Sequence, residues 1–191
     1  MCNQQDITIL ILAGGAGRRM GGEDKGLLKF QGEKLIDKQI SWANRQVKTI
    51  LISANRNLTE YQKFGFPVLE DADNEFSGPL TGVLKGLQKC ETQWLFVQPI
   101  DVPNLPANTL DLMFRRKEKL IKCAYLETKL REHYLSMLIH RDCLKELEGY
   151  IGQGNSKVSR FHHLVNSQKI NLGLNDELFL NLNRVEDYLS E

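Results

Sequence analysis

Ile7-Thr8-Ile9-Leu10-Ile11-Leu12 runs straight into Ala13-Gly14-Gly15-Ala16-Gly17-Arg18-Arg19-Met20-Gly21-Gly22-Glu23-Asp24-Lys25-Gly26, and this junction decides the fold. The first six residues are β-branched or apolar throughout, the composition of a strand buried on both faces. The glycines that follow lack Cβ atoms, so their N–H groups can approach phosphate oxygens and form an anion-binding concavity. Arg18, Arg19 and Lys25 add positive charge, and a guanidinium can grip phosphate through two parallel bonds. The plain alternative is a surface loop with solvated basic residues. Glycines and cations arriving together directly after a buried strand favour phosphate binding. The loop lacks the Gly-Lys-Ser/Thr of a Walker A motif. Its glycine spacing also differs from the G-x-G-x-x-G of dinucleotide-binding folds.

Outward from this junction, strand and helix patterns alternate. Ile36, Ile40, Ala43 and Val47 recur at helical spacing, and Thr49–Ser53 reads as a second buried strand. Leu58–Phe64 reads as a short helix, and Pro67–Leu69 as a brief strand ending at Glu70-Asp71. Pro79 suits the first turn of a helix that carries Leu80, Val83, Leu84 and Leu87 and ends near Cys90. Trp94–Gln98 is the next strand, and Asn108–Lys117 the next helix. In the second half, strands are expected over Leu120–Leu126, Tyr134–Ile139 and Lys169–Leu174. Helices are expected over Asp142–Tyr150, Ser156–Val165 and Arg184–Leu189. Such alternation predicts one α/β domain over 1–191, a three-layer sandwich with a mostly parallel sheet and helices on both faces.

The 191 residues suffice for one domain with a sizeable core, and a net charge of +1 gives no bulk case for nucleic acid or a membrane surface. Any anion site must be local. Cys2, Cys90, Cys123 and Cys143 are far apart, with no C-x-x-C pair, so they read as reduced thiols in a cytoplasm. The N-terminus has neither the basic start nor the cleavage site of a secretory signal, and no apolar run reaches membrane-spanning length.

Asp101 is the second anchor. It follows the strand Trp94–Gln98, and Pro99 and Pro103 stiffen the chain around it. A carboxylate at a strand end suits Mg²⁺, which takes few protein ligands and leaves its other positions to phosphates and water. Alone, Asp101 would read as an ordinary loop residue; with the first loop, it reads as a metal ligand. Glu70 and Asp71 close the third strand and suit a base or ribose. Gly78-Pro79-Leu80-Thr81-Gly82 offers either a backbone edge for a planar base or a helix start with a close-packing glycine.

Leu12-Ala13-Gly14-Gly15-x-x-x-Arg19-Met20-Gly21-Gly22-x-Asp24-Lys25-Gly26 closely resembles the signature of molybdenum cofactor guanylyltransferases, within the Rossmann-like nucleotidyltransferase superfamily. The resemblance extends to Ser53-Ala54-Asn55-Arg56, Glu70-Asp71, Gly78-Pro79-Leu80-x-Gly82 and Pro99-Ile100-Asp101-Val102-Pro103, covering essentially the whole chain. It implies that Leu12, Ala13, Gly14, Gly15 and Lys25 contact GTP and that Arg19 helps bind the triphosphate. It also puts Ser53, Asp71 and Gly78 on the nucleoside side and Mg²⁺ on Asp101. Gly14-Gly15 resembles the guanine-using form, whereas relatives that use CTP carry alanine at the first of these positions. The resemblance makes 1–105 the GTP and Mg²⁺ half, with Arg19, Lys25 and Asp101 catalytic. Residues 106–191 become the acceptor half, receiving molybdopterin or its molybdenum form, with other cofactor-biosynthesis proteins as partners.

Departures from the pattern are local. Ser53 stands where asparagine is common, keeping hydrogen-bonding ability at shorter reach. Asn181-Leu182-Asn183-Arg184-Val185-Glu186-Asp187 resembles N-x-N-T-P-E-[DE] without Thr-Pro. Asn183 then serves as a second, neutral Mg²⁺ ligand or caps a closing helix. Tyr134 replaces the proline that commonly follows His133. His140, His162 and His163 form no metal-binding pattern and read as surface or core residues, and Lys157 and Arg160 read as solvated helix residues or acceptor-phosphate contacts. Two rivals remain open at this level: the same fold with CTP or a sugar-phosphate acceptor, and a non-catalytic nucleotide-binding partner.

Overall fold

A computed structural model describes residues 6–14, 23–70 and 78–179. The strands are β1 (Ile7–Leu12), β2 (Lys29–Phe30), β3 (Glu33–Lys34), β4 (Thr49–Ser53), β5 (Val68–Leu69), β6 (Trp94–Pro99), β7 (Cys123–Glu127), β8 (Glu132–His140) and β9 (Gln168–Asn171). The helices are α1 (Leu35–Asn44), α2 (Leu58–Gln62), α3 (Pro79–Lys89), α4 (Thr109–Arg116), α5 (Leu144–Gly152) and α6 (Val158–Leu164).

Seven strands form one sheet in the order β5-β4-β1-β6-β8-β7-β9. The pairs β1–β4, β1–β6, β4–β5 and β7–β9 are parallel, and β8 runs antiparallel between β6 and β7. Side chains alternate across the sheet as a two-sided core requires. Ile7, Ile9 and Ile11 of β1 join Ile50, Ile52 and Phe96 under α1 and α4, while Leu10 and Leu12 join Leu51, Leu95 and Val97 under α3 and α5. The chain is therefore the expected three-layer α/β sandwich. The glycines of α3 set how near that helix lies. A Cβ on Gly86 would stand 2.6 Å from Leu10, and one on Gly82 would stand 2.6 Å from the Ser53 hydroxyl.

Three local features depart from the sequence reading. Lys29–Lys34 folds into the β2–β3 hairpin, whose turn residues Gln31 and Gly32 take positive φ values of 54° and 80°. Two left-handed residues match the twist of a tight hairpin. The strand expected from Leu120 begins only at Cys123, because Leu120 sits in a turn and is 91% exposed. The strand expected to run to Leu174 stops at Asn171, whose side-chain oxygen accepts the Gly173 N–H at 2.8 Å and bends the chain away. The closing helix expected over Arg184–Leu189 lies outside the described residues.

Cys90, Cys123 and Cys143 are buried and unpaired, and burial pushes the Cys123 and Cys143 thiols up to about 12. Among the described residues, no helix is long and apolar enough to cross a membrane. His162 is a core residue, with its Nε2 2.9 Å from the Tyr134 carbonyl and its Nδ1 2.8 Å from the Ser167 hydroxyl. A carbonyl only accepts, so Nε2 carries the proton and Nδ1 accepts from Ser167.

Burial lowers the His162 pKa to about 4. The unfolded imidazole binds its proton near 6.5. The unfolded chain therefore holds more protons between these values, and stability falls as pH drops through that window, by about 3 kcal/mol in full. In His162→Gln, urea unfolding at pH 7.5 and 4.5 should show a smaller loss between the two conditions than in the parent. An equal loss would remove His162 as its source.

Candidate active site

The C-terminal ends of β1, β4 and β6 meet at one edge, and the backbone locks them together. The N–H groups of Ala13 and Gly14 donate to the Ser53 carbonyl at 2.9 and 2.8 Å, and the Ile100 N–H donates to the Leu12 carbonyl at 3.1 Å. Leu12, Ala13 and Gly14 are thus fixed between the ends of the two neighbouring strands. A Cβ on Gly14 would meet only ordinary contacts, the nearest at 3.4 Å from Asn55. Packing within the described chain therefore does not demand glycine there.

The far end of the glycine-rich loop returns to the same edge. Asp24 caps a single 3-10 turn over Lys25–Leu27, its carboxylate accepting the Gly26 N–H at 3.1 Å. The turn brings the Lys25 ammonium to 3.4 Å from the Asp101 carboxylate, with both side chains about one-fifth exposed. Two residues 76 apart in sequence are thereby gathered at one point. The cation and the carboxylate expected to act together do meet.

Asp24 itself is buried, and its surroundings were not foreseen. Its carboxylate accepts from the Tyr61 hydroxyl at 2.6 Å and the Asn57 side-chain amide at 3.1 Å, with the Arg56 guanidinium at 3.9 Å. Arg56 also donates to the Glu23 carbonyl. Burial, then the Asp24 carboxylate, push the fully buried Tyr61 phenol far above its usual pKa. A Cβ at residue 26 would lie 2.3 Å from the Tyr61 oxygen, so glycine is required for the turn to sit this close. The sequence signal for this knot was a capping aspartate two residues before a glycine, but nothing local pointed to Tyr61.

Tyr61→Phe leaves the buried Asp24 carboxylate with one donor fewer. Loss of a hydrogen bond to a charged group should cost about 1.5–3 kcal/mol. We expect a lower urea midpoint and a fall of about tenfold in turnover as the Lys25 turn loosens. Unchanged turnover at reduced stability would show that the knot supports the fold without setting Lys25.

Ser53 is 2% exposed, its hydroxyl turned beneath α3 toward Gly82. Its carbonyl does visible work in holding Ala13 and Gly14. Gly82 takes the close-packing role rather than offering a backbone edge. Gly78 caps α3 in extended conformation, and a Cβ on it would stand 3.6 Å from Ser156, so the loop before α6 reaches the same rim. Gly15, Arg19, Asp71 and Asn183 lie outside the described residues.

The antiparallel course of β8 brings its first residues to this edge as well. Glu132 accepts hydrogen bonds from Tyr125, Tyr134 and Lys169; the Lys169 ammonium, then the Tyr134 hydroxyl, pull its carboxyl down to about 2. Opposite Tyr125 and Leu126, the β8 partner jumps from Met137 to His133, a bulge that re-aims the intervening residues. The ring of His133 stacks on Phe179 at 3.8 Å. His163 is exposed, and Lys157 and Arg160 are exposed at the start of α6.

Among the described residues, no three His, Cys, Asp or Glu gather to hold a metal. A transition-metal centre therefore has no ligand set there. A hard dication that takes one carboxylate and fills its shell from phosphates and water does fit Asp101.

The sequence pattern of a MobA-like NTP transferase domain matches residues 9–167. The chain is 38% identical over 185 residues to a molybdenum cofactor guanylyltransferase of Serratia proteamaculans, covering 97% of this chain and 93% of that protein. It is 36% identical over 184 residues to the molybdenum cofactor guanylyltransferase of Yersinia pseudotuberculosis serotype O:1b, covering 96% and 94%. Its backbone is similar to that of molybdopterin-guanine dinucleotide biosynthesis protein A from Archaeoglobus fulgidus, with a TM-score of 0.76 at 20% identity over 95% and 94% of the two chains.

Proposed function

The chain belongs to the MobA-like NTP transferase family, and from that premise we propose that it transfers GMP from GTP to the phosphate of molybdopterin. The observation that carries this reading is the meeting of Lys25 and Asp101 at the strand ends, directly after a glycine-rich loop. A triphosphate site needs a cation for the departing phosphates and an anion for a hard metal, and this edge supplies both.

A terminal oxygen of the acceptor phosphate attacks the α-phosphorus of GTP. The new P–O bond forms as the bond from the α-phosphorus to the bridging oxygen breaks, and pyrophosphate leaves. The nucleophile is already an anion, so no side chain has to remove a proton. The protein's task is positioning and charge stabilisation. Lys25 opposes negative charge growing on the pyrophosphate, and the anchored Ala13–Gly14 backbone orients the nucleotide. Mg²⁺, when held by Asp101, neutralises charge on the nucleotide oxygens. Arg19, Asp71 and Asn183 enter this reading on sequence grounds.

In the same proposal, residues 1–105 handle nucleotide and 106–191 handle the acceptor, molybdopterin or its molybdenum form. The arrival of β8 and the Ser156 loop at the nucleotide edge supports that division. Three buried, unpaired cysteines fit a reducing cytoplasm.

Pyrophosphate release with Mg²⁺, molybdopterin and each of GTP, CTP, ATP and UTP tests the reading. Release with GTP alone is expected; release with CTP alone, or tight GTP binding without release, would overturn it.

A further inference from the structure

The helix α1 carries an apolar stripe of Leu35, Ile36, Ile40 and Ala43 against the sheet, and Gln39 interrupts it at 1% exposure. A buried amide in such a place must find partners. Its Nε2 lies 2.8 Å from the Val102 carbonyl, 3.1 Å from that of Pro99 and 3.4 Å from that of Ile100. These carbonyls surround Asp101 in a turn closed by the Val102 N–H donating to Pro99 at 3.3 Å. Gln98 donates to the Val102 carbonyl as well, at 2.9 Å.

The pattern continues along α1. Trp42 donates to the Pro106 carbonyl at 3.2 Å, and Gln46, just past the helix, donates to the Ala107 carbonyl at 2.6 Å. Positions 39, 42 and 46 fall at helical spacing, so one ridge of donors meets successive carbonyls of the segment 99–107. That segment has little regular structure of its own to fix it.

We propose that Gln39 is a positioning residue: by gathering three carbonyls around Asp101, it holds the Asp101 carboxylate in register with Lys25. The proposal rests on the guanylyl-transfer reading for its catalytic consequence, but not for its structural one. Three carbonyl oxygens facing one point repel each other unless a donor stands between them. Removing the donor takes one partner from each: the Val102 carbonyl keeps Gln98 and the Pro99 carbonyl keeps the Val102 N–H, but the amide that ties the three together is gone, and the turn relaxes to find other partners. A displacement of about 1 Å at such a group can cost on the order of 100-fold in rate.

The test uses the full chain with Gln39→Met, which keeps the volume without donors, and Gln39→Asn, which keeps the amide at shorter reach. Gln46→Met serves as a control at the far end of the ridge. Hydrogen exchange should quicken at least tenfold at the amides of Ile100 and Val102 in both Gln39 variants, while β6 amides keep their protection. Gln46→Met should leave both regions as in the parent. Guanylyl transfer by the Gln39 variants should fall on the order of 100-fold in kcat, with GTP binding in EDTA unchanged.

Parent-like exchange at Val102 in Gln39→Asn would overturn the proposal. So would faster exchange with full turnover. If the parent itself showed no guanylyl transfer, that would overturn the functional reading, and the exchange measurement would still decide the clamp. Should Gln39→Met fail to fold, Gln39→Asn carries the same comparison.

Discussion

Lys25→Met should lower guanylyl transfer by about 10²–10³-fold, the usual effect of removing one preorganised charge from a site where charge develops. The variant should fold normally, because Asp24 holds the 3-10 turn through the Gly26 N–H and the Tyr61 hydroxyl. The loss should fall mainly on kcat, since the need for the cation is greatest when pyrophosphate departs. Steady-state pyrophosphate release, with a urea titration as the fold control, checks both halves. Parent-like turnover would remove Lys25 from the chemistry. Loss confined to KM would recast it as a ground-state binding group.

Asp101→Ala should lose on the order of 10³-fold in kcat/KM, several kcal/mol of charge stabilisation expressed as a rate. Its signature is the metal titration: added Mg²⁺ should raise the rate of the parent steeply and the rate of the variant hardly at all. The same substitution also deprives Lys25 of its neighbour at 3.4 Å. Asp101→Asn therefore serves beside it, keeping shape and hydrogen bonding while losing the charge. If both variants kept the parent's Mg²⁺ midpoint, Asp101 would not be a metal ligand.

Much of the frame was legible because its determinants are local. The unbroken run Ile7–Leu12 could be satisfied only by a strand covered on both sides, and the structure buries all six residues. Pro79 began its helix as expected, and Asp101 stands just past the end of β6. What escaped notice depends on partners distant in sequence. Asp24 looked like one more polar residue of a signature until Tyr61, 37 residues on, proved to be its main donor. Nothing in the helical spacing of Ile36, Ile40 and Ala43 singles out Gln39, whose partners, the carbonyls of Pro99, Ile100 and Val102, lie 60 to 63 residues away.

The β2–β3 hairpin was missed for a different reason. Its strands are two residues long, too short for any periodicity, and only Gln31-Gly32 marked the turn. The late start of β7 shows the limit of apolar runs, since Leu120 and Ile121 extend the pattern but sit outside the sheet. In the second half of the chain, β8 was legible as a strand while its bulge was not, because a shift of partners leaves no trace in the spacing of one strand.

The position of β8 bears on how the molecule is made. On the ribosome, β1, β4, β5 and β6 emerge in order and can pair as they arrive, each parallel strand returned by a helix. The free side of β6, bearing Trp94, Leu95, Phe96 and Val97, must then wait until synthesis has passed His140, because its remaining neighbour is β8. Over that interval the nascent chain presents a bare apolar strand flank, the kind of surface that recruits another strand or a chaperone. The strand that later carries Glu132, His133 and Tyr134 to the edge where Lys25 meets Asp101 is also the one that ends this exposure. Synthesis that stalls between the two strands should therefore be the most hazardous moment in the life of this protein.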